Sequence, residues 1–136
     1  MKNDTSLLII NPVSGKKHGK NSINFLIRYF KNYNINPKTF FTEYKGHVRE
    51  YLQKIDNNIF TNIIVYGGDG TFNEVINGLL SRDNRYLPTL GFLPGGSGNS
   101  VMHHLNTLNL KEACNLIINN QMKKIDVMEI VYPNNI

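Results

Sequence analysis

Short runs of apolar residues alternate along this chain with longer segments in which apolar residues recur every three or four positions. The short runs are typical of buried strands, and the longer spacing is typical of helices that pack one face onto a sheet. The pattern predicts strands at residues 6–10, 38–42, 63–66 and 90–93, and helices at 21–33, after Gly46, after Thr71 and at 110–118. An imperfect alternation of Ile125, Val127 and Ile130 predicts a further strand over residues 124–132.

This regular alternation of strands and helices predicts the fold class. Consecutive strand–helix–strand units form parallel sheets through right-handed crossovers, and their helices cover both faces. We therefore expect a three-layer, Rossmann-like α/β domain with a mostly parallel sheet, occupying residues 1–136 as a single unit. A chain of 136 residues is long enough to bury roughly two thirds of its unfolded surface.

The composition is that of a globular protein, with 40% hydrophobic and 18% charged residues. A formal net charge of +5 is consistent with an anionic partner and equally with a general bias towards Lys, Asn and Ile. The positive charges are dispersed and not interleaved with aromatic residues, so we expect no nucleic-acid partner. No apolar run approaches the ~20 residues of a membrane span.

Two further features favour a cytoplasmic location. The N-terminus enters a strand pattern without the apolar core and cleavage site of a signal peptide. The single cysteine, Cys114, falls among apolar residues of a predicted helix, where we expect a buried thiol in a reducing compartment.

Candidate chemistry lies in three glycine-bearing loops, each directly after a predicted strand, at residues 11–15, 67–71 and 94–99. The carboxyl ends of parallel strands meet at one edge of a sheet, where open α/β folds bind their ligands. Glycine lets the backbone turn its N–H groups towards an anion, and a following helix N-terminus adds favourable partial charge. Together the loops predict a polyphosphate cradle at this edge.

Familiar motifs do not account for these loops. Gly15 and Gly19 are too close for a P-loop, and Gly96-Ser97-Gly98 lacks the third glycine of a dinucleotide-binding fingerprint. His18, His103 and His104 have no carboxylate or cysteine partner at metal-ligand spacing, so we expect no zinc site and no metal-ligating residues.

The segments "NPVSGKK", "GGDGTFNEVINGL" and "FLPGGSGNS" resemble the three signature loops of the diacylglycerol kinase catalytic family, which includes sphingosine kinases and bacterial lipid kinases. They occur in the family's order and spacing, and the resemblance covers nearly the whole chain. NAD kinases and phosphofructokinases also contain Gly-Gly-Asp-Gly-Thr. The first and third loops distinguish the diacylglycerol kinase family from those two. Many diacylglycerol kinases carry Asp at the position of Ser100. The serine makes the third loop more similar to that of sphingosine kinases.

The resemblance implies an ATP-dependent lipid kinase domain that uses magnesium and acts on a lipid hydroxyl at the membrane surface. Asp69 corresponds to an acid that serves as base for the hydroxyl or in a water network reaching magnesium, and Asp126 to an acid of the same network. The implied ATP-contacting residues are Asn11, Pro12, Val13, Ser14, Gly15, Thr42, Gly67, Gly68, Asp69, Gly70, Thr71, Glu74, Gly96, Ser97, Gly98 and Asn99.

Several alternatives stay open at this point. Glu74 is interpretable as a nucleotide contact or as a favourable partner for the dipole of a helix whose first turn it occupies. The function could also be that of an NAD kinase-like enzyme or of a catalytically silent nucleotide-binding module. The resemblance further implies a β-sandwich domain after this unit, which we expect to be absent here. On that basis we expect this chain alone to bind nucleotide weakly, to lack lipid kinase turnover and to form homodimers through the last predicted strand.

Overall fold

A computed structural model describes residues 5–14, 19–55, 59–82, 87–95, 101–102, 105 and 109–133. The described strands are β1 (Ser6–Ile10), β2 (Lys38–Phe41), β3 (Asn62–Gly67) and β4 (Thr89–Pro94). The described helices are α1 (Gly19–Asn32), α2 (His47–Lys54), α3 (Asp69–Leu80) and α4 (Leu110–Ile118). The first eight predicted elements are confirmed to within a few residues.

The four strands form one parallel sheet in the order β2-β1-β3-β4. At the carboxyl edge, Ile10 of β1 is in register with Phe41 of β2 and Tyr66 of β3. Gly67 of β3 is in register with Pro94 of β4. All four strands therefore end at nearly the same level, and the loops that follow them share one edge of the sheet.

Helices cover both faces of the sheet. All five residues of β1 are buried although successive side chains point to opposite faces. The crossovers from β1 to β2 and from β2 to β3 run in opposite directions, so right-handed connections place α1 and α2 on opposite faces. The three-layer α/β architecture is thus confirmed.

The helices on each face also pack against one another. On one face the Tyr29 hydroxyl of α1 bonds to Asn115 of α4. On the other, Gly78 of α3 lies against α2, where an added Cβ would come 3.0 Å from the Leu52 Cβ. A stripe of apolar residues on each helix provides these contacts, as the periodicity predicts.

The predicted strand over residues 124–132 is wrong. Helix α4 ends in a turn in which Asn120 has φ 53° and Gln121 N–H donates to the Leu116 carbonyl. The chain then continues from 121 to 133 without regular secondary structure, and every one of these residues is exposed. An alternating sequence becomes a strand only when its backbone pairs with a neighbour, and this segment forms no ladder with the sheet.

Candidate active site

Just beyond the strands, backbone hydrogen bonds continue to join neighbouring segments at the carboxyl edge of the sheet. The first residues after β1, β2 and β4 each donate an N–H to the neighbouring strand. These bonds run from Asn11 to Tyr66, from Thr42 to Ile10 and from Gly95 to Gly67, at 3.0, 2.9 and 3.0 Å. The predicted site residues Asn11, Thr42 and Gly67 are therefore brought to one edge.

The Asn11 side chain organises the first loop and ties it to the second. Its Oδ1 accepts a hydrogen bond from Val13 N–H at 3.2 Å, and its Nδ2 donates to Thr71 Oγ1 at 3.1 Å. Ser14 N–H closes the turn on the Asn11 carbonyl. Pro12 and Val13 are exposed and Ser14 is buried, while Gly15 lies outside the described residues. The bond to Thr71 was not foreseen from the sequence.

The turn from β3 into α3 needs glycine for steric reasons. A Cβ on Gly67 would lie 2.7 Å from the Thr71 Cβ, closer than two carbons can approach. Gly68 is the N-cap of α3 and offers no side-chain cap to the first-turn N–H groups. A Cβ on Gly70 would meet nothing within 4 Å. Among the described residues, therefore, none lies against the helix N-terminus at Gly70, an arrangement suited to an anion.

Asp69 links this turn to the third loop. Its half-buried carboxylate accepts a hydrogen bond from Val101 N–H at 3.3 Å. The predicted residues Gly96, Ser97, Gly98 and Asn99, with Ser100, lie outside the described residues. The segment that follows them is thus placed beside the single acid of the glycine turn.

Glu74 has a partner that sequence reasoning missed. Its Oε1 accepts a hydrogen bond from the Gly46 N–H at 3.0 Å. Helix α3 begins at Asp69, which places Glu74 in the second turn. The sequence predicts it in the first turn. The dipole interpretation is therefore wrong, because that effect falls off within the first turn.

A cluster of rings stands beside Thr42, at the start of α2. Tyr44 stacks on His47 at 4.4 Å between ring centroids, and Phe40 stacks on Tyr51 at 4.1 Å. The hydrogen bond from the Tyr44 hydroxyl to Glu50 raises the pKa of that phenol. The sequence signal for this cluster was the three- and four-residue spacing of Tyr44, His47 and Tyr51.

The donor set suits a polyphosphate. It consists of the N–H groups in the first turn of α3, the hydroxyl groups of Thr42 and Thr71, and the Asp69 carboxylate. N–H and hydroxyl groups bind phosphates, and a carboxylate binds a cation that accompanies them. Within the described ranges, no three His, Cys, Asp or Glu side chains come together in a metal cluster. Asp126 lies on the exposed segment, outside the sheet.

A cavity of about 110 Å³ lies elsewhere, between α1 and β2, and is lined by Leu8, Ile27 and Phe30 among others. It is smaller than the ~300 Å³ at which ligand pockets usually begin. In the part of the chain that the structure describes, no helix has the length and hydropathy needed to cross a membrane.

Comparison with known proteins extends this picture. The model of the diacylglycerol kinase catalytic domain family matches residues 5–130. A diacylglycerol kinase of Bacillus subtilis is 32% identical over 125 residues, covering 90% of this chain and 41% of that protein. Sphingosine kinase B of Dictyostelium discoideum is 30% identical over 136 residues, covering 97% of this chain and 18% of that protein.

The same similarity is seen among solved structures. A diacylglycerol kinase from Bacillus anthracis str. Sterne has a TM-score of 0.75 at 30% identity, covering 88% of this chain and 43% of that one. The chain therefore spans less than half the length of each of these three proteins.

Proposed function

This chain belongs to the diacylglycerol kinase catalytic domain family, and we propose that it forms the ATP-binding part of a lipid kinase. The observation that carries the proposal is the convergence of the loops after β1, β2 and β3 around an open helix N-terminus. Phosphoryl transfer depends mainly on positioning and charge neutralisation, which backbone donors at such an edge provide without a nucleophilic side chain.

In this proposal the N–H groups in the first turn of α3 bind the nucleotide phosphates, and Asn11, Pro12, Val13 and Ser14 line the nucleotide beside them. The N–H groups of Asn11, Val13 and Ser14 are already bonded within the protein. Thr42 contacts the nucleotide from the neighbouring loop, and Gly96, Ser97, Gly98 and Asn99 stay predicted contacts of the nucleotide. ATP supplies the phosphoryl group, with magnesium as its counter-ion. Asp69 takes the proton of the acceptor hydroxyl or holds a water near the magnesium ion, with Asp126 in the same network.

The acceptor we propose is a lipid hydroxyl, as in diacylglycerol or a sphingoid base, presented at the cytoplasmic surface of a membrane. The similar proteins favour this class over NAD kinase, since they are diacylglycerol and sphingosine kinases. A homodimer through residues 124–132 stays a prediction, supported by exposed apolar side chains such as Met128 and Val131.

Calorimetric titration with ATP, with and without magnesium, tests the nucleotide site. Gly70→Val should abolish binding without unfolding the domain, because the added Cβ meets no described atom within 4 Å and lies at the proposed phosphate site. Undiminished affinity in this variant would place the phosphates elsewhere.

Asp69→Asn tests the catalytic assignment in a kinase that carries this domain. Nucleotide binding should persist, while phosphorylation of diacylglycerol or sphingosine should fall by roughly 10²–10⁴-fold if Asp69 is a general base. Near-normal turnover would reduce Asp69 to a turn residue. ATP binding without transfer to any lipid would favour the silent nucleotide-binding module, and transfer to NAD would favour the NAD kinase alternative.

A further inference from the structure

The loop between β2 and α2, residues 42–46, has little apolar burial to hold it in place. Glu43, Tyr44 and Lys45 are all exposed, and Thr42 and Gly46 are half-buried. Segments with few buried contacts open easily unless hydrogen bonds restrain them. The position of Thr42 therefore depends on how the backbone of this loop is bonded.

Hydrogen bonds restrain the loop at both ends. Thr42 N–H donates to the Ile10 carbonyl of β1 at 2.9 Å, and Glu43 N–H donates to His47 Nδ1 at 3.1 Å. At the far end, Gly46 N–H donates to Glu74 Oε1 at 3.0 Å. The acceptor is on α3, the helix that carries the glycine turn at its N-terminus, so the bond joins the β2–α2 loop to that helix.

The backbone of Gly46 shows that this end of the loop has a demanding conformation. Its φ of 91° lies in the left-handed region that favours glycine. A carboxylate is a strong acceptor for a backbone N–H, and such charge-assisted bonds are about twice as strong as neutral ones. Glu74 is thus well suited to hold Gly46 in this conformation.

We propose that Glu74 is a positioning residue that fixes the β2–α2 loop, and with it Thr42, against α3. This assignment replaces the direct nucleotide contact expected for Glu74 from the sequence. It rests on the proposed function in one respect, which is that Thr42 contacts the nucleotide. The hydrogen bond from the Gly46 N–H to Glu74, which we call the tether, is present in the nucleotide-free protein and is measurable without any ligand.

Hydrogen exchange of the Gly46 amide in the nucleotide-free protein tests the tether. Glu74→Ala should speed exchange roughly tenfold, since a hydrogen bond of this kind is worth about one such factor. Glu74→Gln keeps a neutral acceptor at the same reach and should speed exchange only about threefold, because a neutral bond is about half as strong. Glu74→Asp is one methylene shorter and should resemble the alanine variant. Glu50→Ala, which removes only the exposed bond to Tyr44, is the matched control.

ATP titrations then test the consequence for the site. Glu74→Ala should weaken binding roughly tenfold, and Glu74→Gln should restore it to within about threefold. In a protein that already carries Thr42→Ala, Glu74→Ala should weaken ATP binding by less than about a further twofold. The reason is that the Thr42 contact with the nucleotide, which Glu74 positions, has already been removed.

Other outcomes overturn the proposal. Unchanged Gly46 exchange in Glu74→Ala would remove the tether, and a full effect of Glu74→Ala in the Thr42→Ala background would mean that Glu74 acts on the nucleotide directly. If the wild type bound no ATP, the proposed function would fail, and the exchange rates would still decide whether Glu74 fixes the loop.

Discussion

The β3–α3 unit and the segment 121–133 have similar apolar content but opposite structural outcomes. In β3 the residues from Ile63 to Gly67 are all buried, whereas in the later segment Met128 is 86% exposed and Val131 is 79% exposed. Strand β3 has β1 on one edge and β4 on the other. The later segment has no paired neighbour among the described residues. Apolar periodicity shows which segments can become strands, and available partners determine which ones do.

The largest expected effect is a difference in stability between a core position of the β3–α3 unit and a position on the exposed segment. Phe72 of α3 is 0% exposed and its ring lies 4.5 Å from that of Phe92. Phe72→Ala should lower the free energy of unfolding by about 3–5 kcal/mol, because it leaves a cavity in the core. Val131→Ala, on the exposed segment, should change it by less than about 0.5 kcal/mol. Urea unfolding followed by circular dichroism measures both, and equal losses would contradict the comparison.

A second experiment sharpens the comparison inside the β3–α3 unit, at its two differently placed glycines. Gly67→Ala should destabilise the fold by about 1–3 kcal/mol, because the new Cβ overlaps the Thr71 side chain. Gly70→Ala enters open space in a helix and should be neutral or stabilising by up to about 1 kcal/mol. Thermal unfolding of the two variants compares them directly. A reversed order would show that the turn is not packed as described.

A third, smaller effect concerns the bond that joins the β1 loop to this unit. Asn11→Ala removes the bonds to Thr71 and Val13 and should cost about 1–2 kcal/mol. Asn77→Ala removes an amide that bonds only to Asn73 on its own helix, and should cost less than about 0.5 kcal/mol. Denaturant titration distinguishes the pair, and equal losses would mean that Asn11 does not hold the two loops together.

The last experiment compares the reactivity of a cysteine thiol in the buried helix α4 with that of a thiol on the exposed segment. Burial raises the pKa of the Cys114 thiol to about 12. A thiol reagent at pH 8 should therefore leave Cys114 unlabelled until the protein unfolds. A cysteine introduced by Val127→Cys in a Cys114→Ala background should react at once, since that position is exposed. Fast labelling of native Cys114 would show that α4 is not docked on the sheet.

The same pKa has a consequence for stability against pH. The folded protein holds the Cys114 proton more tightly than the unfolded chain, whose thiol titrates near 9.0. This contribution to the free energy of unfolding is present below pH 9 and is lost as pH rises towards about 12. Cys114→Ala should show a correspondingly flatter alkaline limb in thermal unfolding.

Much of the fold and part of the site could be predicted from the chain itself. The strand and helix positions follow from apolar periodicity, and the glycine turn around Asp69 follows from local steric needs. The bonds from Glu74 to Gly46 and from Asn11 to Thr71 could not be predicted, because they join residues 28 and 60 positions apart. Nothing in the local pattern around Glu74 points to a loop so distant in sequence.

Sequence by itself determined the α/β alternation, the order of the loops and the membership of a lipid kinase family, because these depend on local periodicity and on short motifs. Only the tertiary structure decided which side chains serve as tethers and which predicted strand fails to form. Hydrogen bonds and strand pairing depend on neighbours in space, and the parallel register of β1, β2 and β3 is what brings those neighbours to one edge.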